Sequence, residues 1–417
     1  YSFSKKGFAD LPASFTTAEK NMDPTNINDN TIFLTFAHAF NPNWKFTGQV
    51  AYMNYSQVGQ SMWPSGISAD GDTLYRKMSI WDVLGENKLG QFFVNGDFKT
   101  GSVKHLLLGG TDIGYKDYYH DFVAAKDITP LAIYNPQYGI TPESVYPVYD
   151  RSKSLKDRGA HYYQKYYAFY VQDEIHLIEN KLRLTLAGRF TSSTDGNPYA
   201  GEAVGNKFTP RVGLSYSLDK HTSAYAVFDE AFIPQAGAGQ NGVSFKPITG
   251  NNKEIGLKRE WLGGLWTTSV AAYNITKNNV LTADPSNPNF SVQLGQTQTK
   301  GVEFDLRGQI LHGLDLTLNY AYTNAKVTKD TNPINEGVDV PGSTRNIANA
   351  WLSYKATNGK LKGWGVSLGA QYQNGRSSWY VFDGTKQPLK DYFKMDGAVS
   401  YQVNKLSFAL NINNLLN

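Results

Sequence analysis

Lys300–Ala325 reads KGVEFDLRGQILHGLDLTLNYAYTNA. Val302, Phe304 and Leu306 alternate with Glu303, Asp305 and Arg307. After His312-Gly313 the apolar set resumes at Leu314, Leu316, Leu318, Tyr320 and Tyr322, with Asp315, Thr317, Asn319, Ala321 and Thr323 between. A period of two gives a strand with one apolar and one polar face. The break is too short for anything but a tight hairpin. The polar face carries full charges in mid-strand, and the apolar strip ends in two tyrosines. That combination suits a strand with lipid outside and water inside.

The pattern recurs along the chain, and eight hairpins can be read. Thr31–Phe40 pairs with Trp44–Tyr55, Lys88–Phe98 with Val103–Ile113, Tyr163–Ile175 with Leu182–Thr191, and Phe208–Leu218 with Ser223–Phe232. Glu254–Trp261 pairs with Trp266–Thr276, and the opening stretch is the sixth hairpin. Asn346–Tyr354 then pairs with Trp364–Gln373, and Phe393–Val403 with Leu406–Asn413. Short turns join the strands of each hairpin. Long connections join the hairpins to one another, at Ser56–Asn87, Gly114–Tyr162, Ser192–Lys207, Ile233–Lys253, Lys277–Val292, Lys326–Arg345 and Asn374–Tyr392. Sixteen antiparallel strands with all long loops at one end form an all-β, transmembrane, up-and-down barrel. A soluble sandwich has no reason to segregate loop lengths. An open sheet edge in hydrocarbon would leave N–H and C=O groups unpaired, so closure is required. Lys181, Arg183 and Arg189 alternate with Leu182, Leu184, Leu186 and Phe190 and are expected to face the lumen. Turned to lipid at mid-depth, each base would cost about 2–4 kcal/mol.

Composition agrees. A mean hydropathy of −0.43 with no long apolar run excludes spanning helices. The 27 Tyr, 22 Phe and 8 Trp are enough to build aromatic girdles at two interfaces. With no cysteine there are no disulfides, thiolate metal sites or cysteine nucleophiles. A net charge of +4, evenly spread, gives no footprint for nucleic acid. The chain opens at YSFSKKGF with no signal peptide, so a secreted protein would be seen here in mature or partial form.

Several stretches in order resemble TonB-dependent siderophore receptors of the ferrichrome-receptor-like group. YAFYVQDEIHLIENKLRLTLAGRF (Tyr167–Phe190) is similar to the family's YxQDxxxLxxxLxLxxGxR segment. FTPRVGLSYSLDKHTSAYAVFDEAFIPQAG (Phe208–Gly237) resembles FTPRxGLxY…SxYxxYxxxFxP. Asn252–Leu281 resembles the EIGxK…AxYxIxKxNVL pair, and Gly295–Ile310 resembles GxxxSKGxExxxxG with Thr299 where serine is common. VKHLLLGGTDIGYK (Val103–Lys116), VPGSTRNIANAWLSY (Val340–Tyr354) and FALNINNLL (Phe408–Leu416) complete the run. The resemblance implies uptake of a ferric siderophore across the bacterial outer membrane by a monomer set among lipid and lipopolysaccharide. Iron would be carried inside the ligand, with no protein cofactor, and TonB would engage a segment outside this chain. It also implies a 22-stranded barrel with an N-terminal plug. Residues 1–417 are then expected to be a partial barrel, with plug, first strands and last strand absent, and Tyr1–Asn30 an extracellular loop. Uptake of cobalamin, haem or an oligosaccharide, a passive porin, and a barrel enzyme are the alternatives.

Chemistry-bearing motifs are few. GAGQNG at Gly237–Gly242 matches a dinucleotide fingerprint literally, but VSFKPITGNN follows it, with no helix to receive a phosphate. Seven histidines at 38, 105, 120, 161, 176, 221 and 312 show no ligand spacing, and no G-x-S-x-G elbow exists. The chain is read as a non-enzyme. Aromatics in the long loops are the candidate ligand contacts: Trp63, Tyr75, Trp81, Tyr115, Tyr118, Tyr119, Tyr162, Tyr163, Trp379 and Tyr380, with His120 and Phe122 nearby. Aromatic faces can envelop a chelate, and phenol O–H groups can donate to its oxygens.

Overall fold

The computed structural model describes residues 3–8, 11–12, 14–121, 124–178, 181–284, 286–382 and 385–416. Phe122 lies outside them. Two short strands, β1 (Phe3–Ser4) and β2 (Gly7–Phe8), pair with each other. The barrel wall starts with β3 (Asn26–Asn41), β4 (Trp44–Ile67), β5 (Thr73–Thr100), β6 (Val103–Asp121), β7 (Lys126–Ala132), β8 (Ala160–Ile178) and β9 (Leu182–Asn197). It continues through β10 (Gly201–Ser217), β11 (Thr222–Ile233), β12 (Ile248–Trp261), β13 (Trp266–Asp284), β14 (Asn287–Leu311) and β15 (Leu314–Lys329). It ends with β16 (Thr344–Lys355), β17 (Trp364–Phe382), β18 (Thr385–Leu389), β19 (Tyr392–Val403) and β20 (Leu406–Ile412). Every sequence-read hairpin is present in antiparallel register. The expected count of sixteen rises to eighteen because β7 pairs with β5, and β18 with β17, inside connections read as loops.

Several strands run much longer than the alternation suggested. β4 has 24 residues, β5 has 28 and β14 has 25, whereas a tilted crossing needs about 10. The surplus stands above the membrane as paired arms. Most of Ser56–Asn87 is therefore strand: Gln57 opposes Val83, and the pairing runs to Ile67 opposite Leu74 with one irregularity beside Pro64. Cross-arm bonding satisfies the backbone where side-chain periodicity has lapsed.

Exposure separates the two faces of the wall. In β8, Tyr167, Phe169 and Val171 are exposed, while Ala168 between them is fully buried. In β10, Val204, Phe208, Val212 and Leu214 are exposed, while Ala203 is buried. Phe169 opposes Phe190, which opposes Phe208, so three rings cross β8–β10 in one row. A soluble sheet would bury this face. The apolar clusters that are buried lie on the long-loop side instead, around Leu74, Leu131 and Ile133 and around Met78, Ile128 and Tyr146. The exposed apolar row is the lipid-facing surface, and the alternate residues face the lumen. Close ring-on-backbone packing tightens this wall: a Cβ on Gly308 would lie 2.1 Å from the Trp266 ring on the neighbouring strand.

Tyr1–Asn30, read as one extracellular loop, instead holds β1 and β2 and ends in the first residues of β3, while residues between β2 and β3 pack onto the arms. Glu19 and Arg76 form an ion pair whose side chains are both fully buried. Arg76 also donates to the carbonyls of Thr17 and Thr129, and Glu19 accepts from Gly139 N. The ring order returns from β20 to β3. Both strands at that seam are exposed along their whole length.

Candidate functional site

Asp112 on β6 and Gln91 on β5 oppose each other and set the lumenal parity of their strands. Gln91 donates to the Tyr170 hydroxyl at 3.1 Å, and Arg189 on β9 forks onto Asp112 at 2.6 and 2.9 Å. Arg189 therefore faces the lumen, and Arg183 shares its parity; Lys181 lies in the turn before β9. The registers of β6 with β8 and of β8 with β9 continue without a shift toward the loops. Lys116, Tyr118 and His120 follow Asp112 on the lumenal side of β6. Tyr162 and Gln164 hold the matching positions on β8, and Asp195 on β9.

These residues line a recess of about 820 Å3 together with Gly196, Asn197, Tyr199 and Pro234–Ala236. Its aromatic wall is continuous. The His120 and Tyr162 rings stack 5.5 Å apart, and Tyr118 meets Tyr162 edge-on at 6.3 Å. Tyr199 closes the group, 6.1 Å from Tyr162 and 6.3 Å from His120. Such centroid distances are normal for attractive ring pairs. Burial holds the His120 pKa below its ordinary value of 6.5, favouring the neutral imidazole. Burial likewise raises the Tyr118 pKa, keeping the phenol protonated as a donor.

The sequence-read candidates divide by face. Tyr118 and Tyr162 are brought together in the recess. Tyr115 and Tyr119 lie on the opposite face of β6, where Tyr119 stacks on His161 at 4.2 Å and Lys165 lies 5.7 Å from the Tyr115 ring. Tyr163 borders the recess, but its ring covers Gly196 on the outer side and its hydroxyl donates to Glu202. Those three have the geometry of an outer girdle. Trp63 and Trp81 share the lumenal parity of the β4–β5 arm, opposite Lys77 and Gly59. Trp63 is exposed and donates to Ser61 Oγ at 2.9 Å. Tyr75 is exposed beyond the irregularity at Pro64. None of these three lines the recess. Trp379 and Tyr380 fall on β17, and their side chains lie outside the described residues. The sequence reading passed over Tyr199, which sits in the β9–β10 turn with Asn197 Oδ1 accepting from its backbone N–H at 2.9 Å. GAGQNG is a loop pinned by a bridge between Ala238 and Ser244.

A membrane barrel with a tyrosine-rich recess at the loop end of its lumen defines an outer-membrane receptor class. The chain belongs to the TonB dependent receptor-like, beta-barrel family, whose model matches residues 3–415. It is accordingly a protein of the bacterial outer membrane. It is 28% identical to the metal-pseudopaline receptor CntO of Pseudomonas aeruginosa over 97% of this chain and 58% of that protein. It is 28% identical to the ferrioxamine B receptor of Salmonella typhimurium, over 96% of this chain and 56% of that protein. The ferrichrome outer membrane transporter/phage receptor of Escherichia coli is 26% identical, over 97% and 56%. The chain thus spans a little over half the length of the curated relatives it matches. Among solved structures, the fold superposes on the pyoverdine receptor FpvA of Pseudomonas aeruginosa with a TM-score of 0.75 at 21% identity, covering 99% of this chain and 61% of that one.

Proposed function

We propose that the protein imports a ferric siderophore across the outer membrane, driven through TonB, and that the Tyr118–His120–Tyr162–Tyr199 recess receives the ligand. The carrying observation is the position of that recess: aromatic, at the loop end, on the lumenal face of a receptor-family barrel. Relatives named as ferrioxamine B and ferrichrome receptors support the reading. In this reading iron travels inside its chelate, and the protein binds the chelate rather than the metal. No covalent chemistry is required. β3 and β20 are exposed along their whole length, which fits a wall that further strands would extend in the whole receptor. TonB contact and a plug would likewise belong to segments beyond this chain. Uptake of radiolabelled ferric siderophores by cells carrying the intact protein tests the proposal. Uptake abolished by collapse of the inner-membrane proton gradient is expected; equal accumulation with and without the gradient would mark a passive pore.

The relative named as a metal-pseudopaline receptor favours a second reading, in which the chelate carries a metal other than iron. The same assay with other radiolabelled metal chelates separates the two.

A further inference from the structure

Lys116, Gln164 and Asp195 form one row across the lumenal wall of the recess. Lys116 opposes Gln164, and Gln164 opposes Asp195. Two strand spacings place the Lys116 and Asp195 backbones roughly 10 Å apart along the sheet, and no ion pair joins their side chains. Gln164 stands between them and donates its amide to Asp195 Oδ1 at 2.7 Å, while Ser193 Oγ donates to Asp195 Oδ2 at 2.8 Å. Both oxygens of the carboxylate are thereby engaged. Lys116, which is exposed, has no ion pair or side-chain hydrogen bond among the described residues. Lys156, at the same end of the wall, is by contrast paired with Glu86.

The hydroxyls of Tyr118, Tyr162 and Tyr199 likewise make no hydrogen bond to described residues. Elsewhere the phenols of Tyr115, Tyr163 and Tyr225 donate to Asp117, Glu202 and Glu254. The recess therefore offers a free ammonium and three free phenol donors around one neutral imidazole. Its one carboxylate is already satisfied. Donors in excess of acceptors, with the one ammonium unengaged while the one carboxylate already accepts two hydrogen bonds, suit a ligand that is anionic and rich in oxygen.

We propose that this recess selects anionic, oxygen-rich ferric chelates, with Lys116 kept unpaired by the interposed Gln164 so that the ligand neutralises it. The inference rests on the siderophore reading and narrows it to chelates whose exposed groups are catecholate or carboxylate oxygens. Cationic chelates meet an unmatched ammonium, and neutral ones gain ring contact and phenol hydrogen bonds but no charge pairing.

The test uses the intact protein purified from outer membranes, with three probes: a ferric tris-catecholate, a ferric chelate bearing free carboxylates, and a cationic ferric trihydroxamate. Binding is measured by calorimetry. The wild type is expected to hold at least one anionic probe ten times or more tighter than the cationic probe. Lys116→Gln removes a charge-assisted contact and is expected to weaken the anionic probes roughly tenfold while sparing the cationic one. Gln164→Glu leaves Lys116 in place but gives it a neighbouring carboxylate, and is expected to reproduce the loss. The far-ultraviolet circular dichroism of both variants reports that the barrel is intact. Tighter binding of the cationic probe, or anionic affinity unchanged in both variants, overturns the selectivity proposal while leaving the siderophore reading standing. Failure of all three probes to bind the wild type overturns both.

Discussion

Arg189 on β9 reaches over the intervening β8 and grips Asp112 on β6 at 2.6 and 2.9 Å, passing across Ala168, which is fully buried. The pair lies on the same lumenal face as the tyrosine recess above it. It orients the wall: whatever shares its parity faces water, and whatever alternates with it faces lipid. Arg189 is about one-third exposed, so the pair's contribution to stability is discounted for solvent screening. Asp112→Asn is expected to cost about 1 kcal/mol or less. The loss would read as a small drop in the unfolding midpoint in detergent.

The faces themselves can be checked directly. A spin label replacing Arg189 should be quenched by a water-soluble relaxation agent and spared by one confined to lipid. A label replacing Phe190, one position on, should show the reverse. Lipid-phase quenching at Arg189 would mean the register is slipped by one residue, which reverses every side chain.

Glu19 and Arg76 are fully buried, and they tie the N-terminal segment to the β5–β7 arm. Removing one partner leaves a buried charge alone, a loss of about 3–5 kcal/mol. Arg76→Met is therefore expected to open the extracellular cap. Limited proteolysis should then cut within residues 11–25 at rates the wild type does not reach. The double change Glu19→Leu with Arg76→Met should restore most of the protection, because it leaves no orphaned charge.

His120 supplies a pH dependence. Burial lowers its pKa from 6.5, so the unfolded arm binds a proton that the folded arm resists. Its contribution to local stability is full above pH 6.5. It falls as pH drops from 6.5 toward the depressed value, and levels off below that. Protection factors from hydrogen exchange at the top of β6 should fall as pH drops across this window, and His120→Gln should flatten the slope. An unchanged slope in the variant would assign the effect to another group.

Trp266 lies so close over Gly308 that any side chain there must push the ring aside. Gly308→Ala is expected to cost about 1–3 kcal/mol by overpacking. A shift in tryptophan emission should accompany the lowered unfolding midpoint.

The wall was legible because lipid and water demand opposite side chains at every second position. Val302, Phe304 and Leu306 on β14 declare this as clearly as their partners Tyr322, Tyr320 and Leu318 on β15, directly opposite. The demand ends where the lipid ends. Above Ile113 the wall continues as paired backbone with tyrosines on both faces, so β6 was cut short and Tyr115, Tyr118 and Tyr119 read as one loop group. Extending the parity of Asp112 through Gly114 and Lys116 separates Tyr118 from its neighbours, and that signal was present in the chain. Tyr199 carried none: it sits in the polar turn NPYAG, and only the curvature of the wall brings it to Tyr162. β7 was illegible for a related reason: the apolar residues it buries, Ile128 and Leu131, stand three apart in KDITPLA and show no period of two.

The central claim is that the lumenal tyrosines, and not those of the outer girdle, hold the chelate. Titration of the intact protein with the tightest-binding ferric siderophore tests it, comparing Tyr118→Ala/Tyr162→Ala with Tyr115→Ala/Tyr119→Ala. Affinity should fall at least tenfold in the first pair, a loss of about 1.4 kcal/mol or more, and stay within about twofold of wild type in the second. Unchanged affinity in the first pair, or an equal loss in the second, would contradict the account.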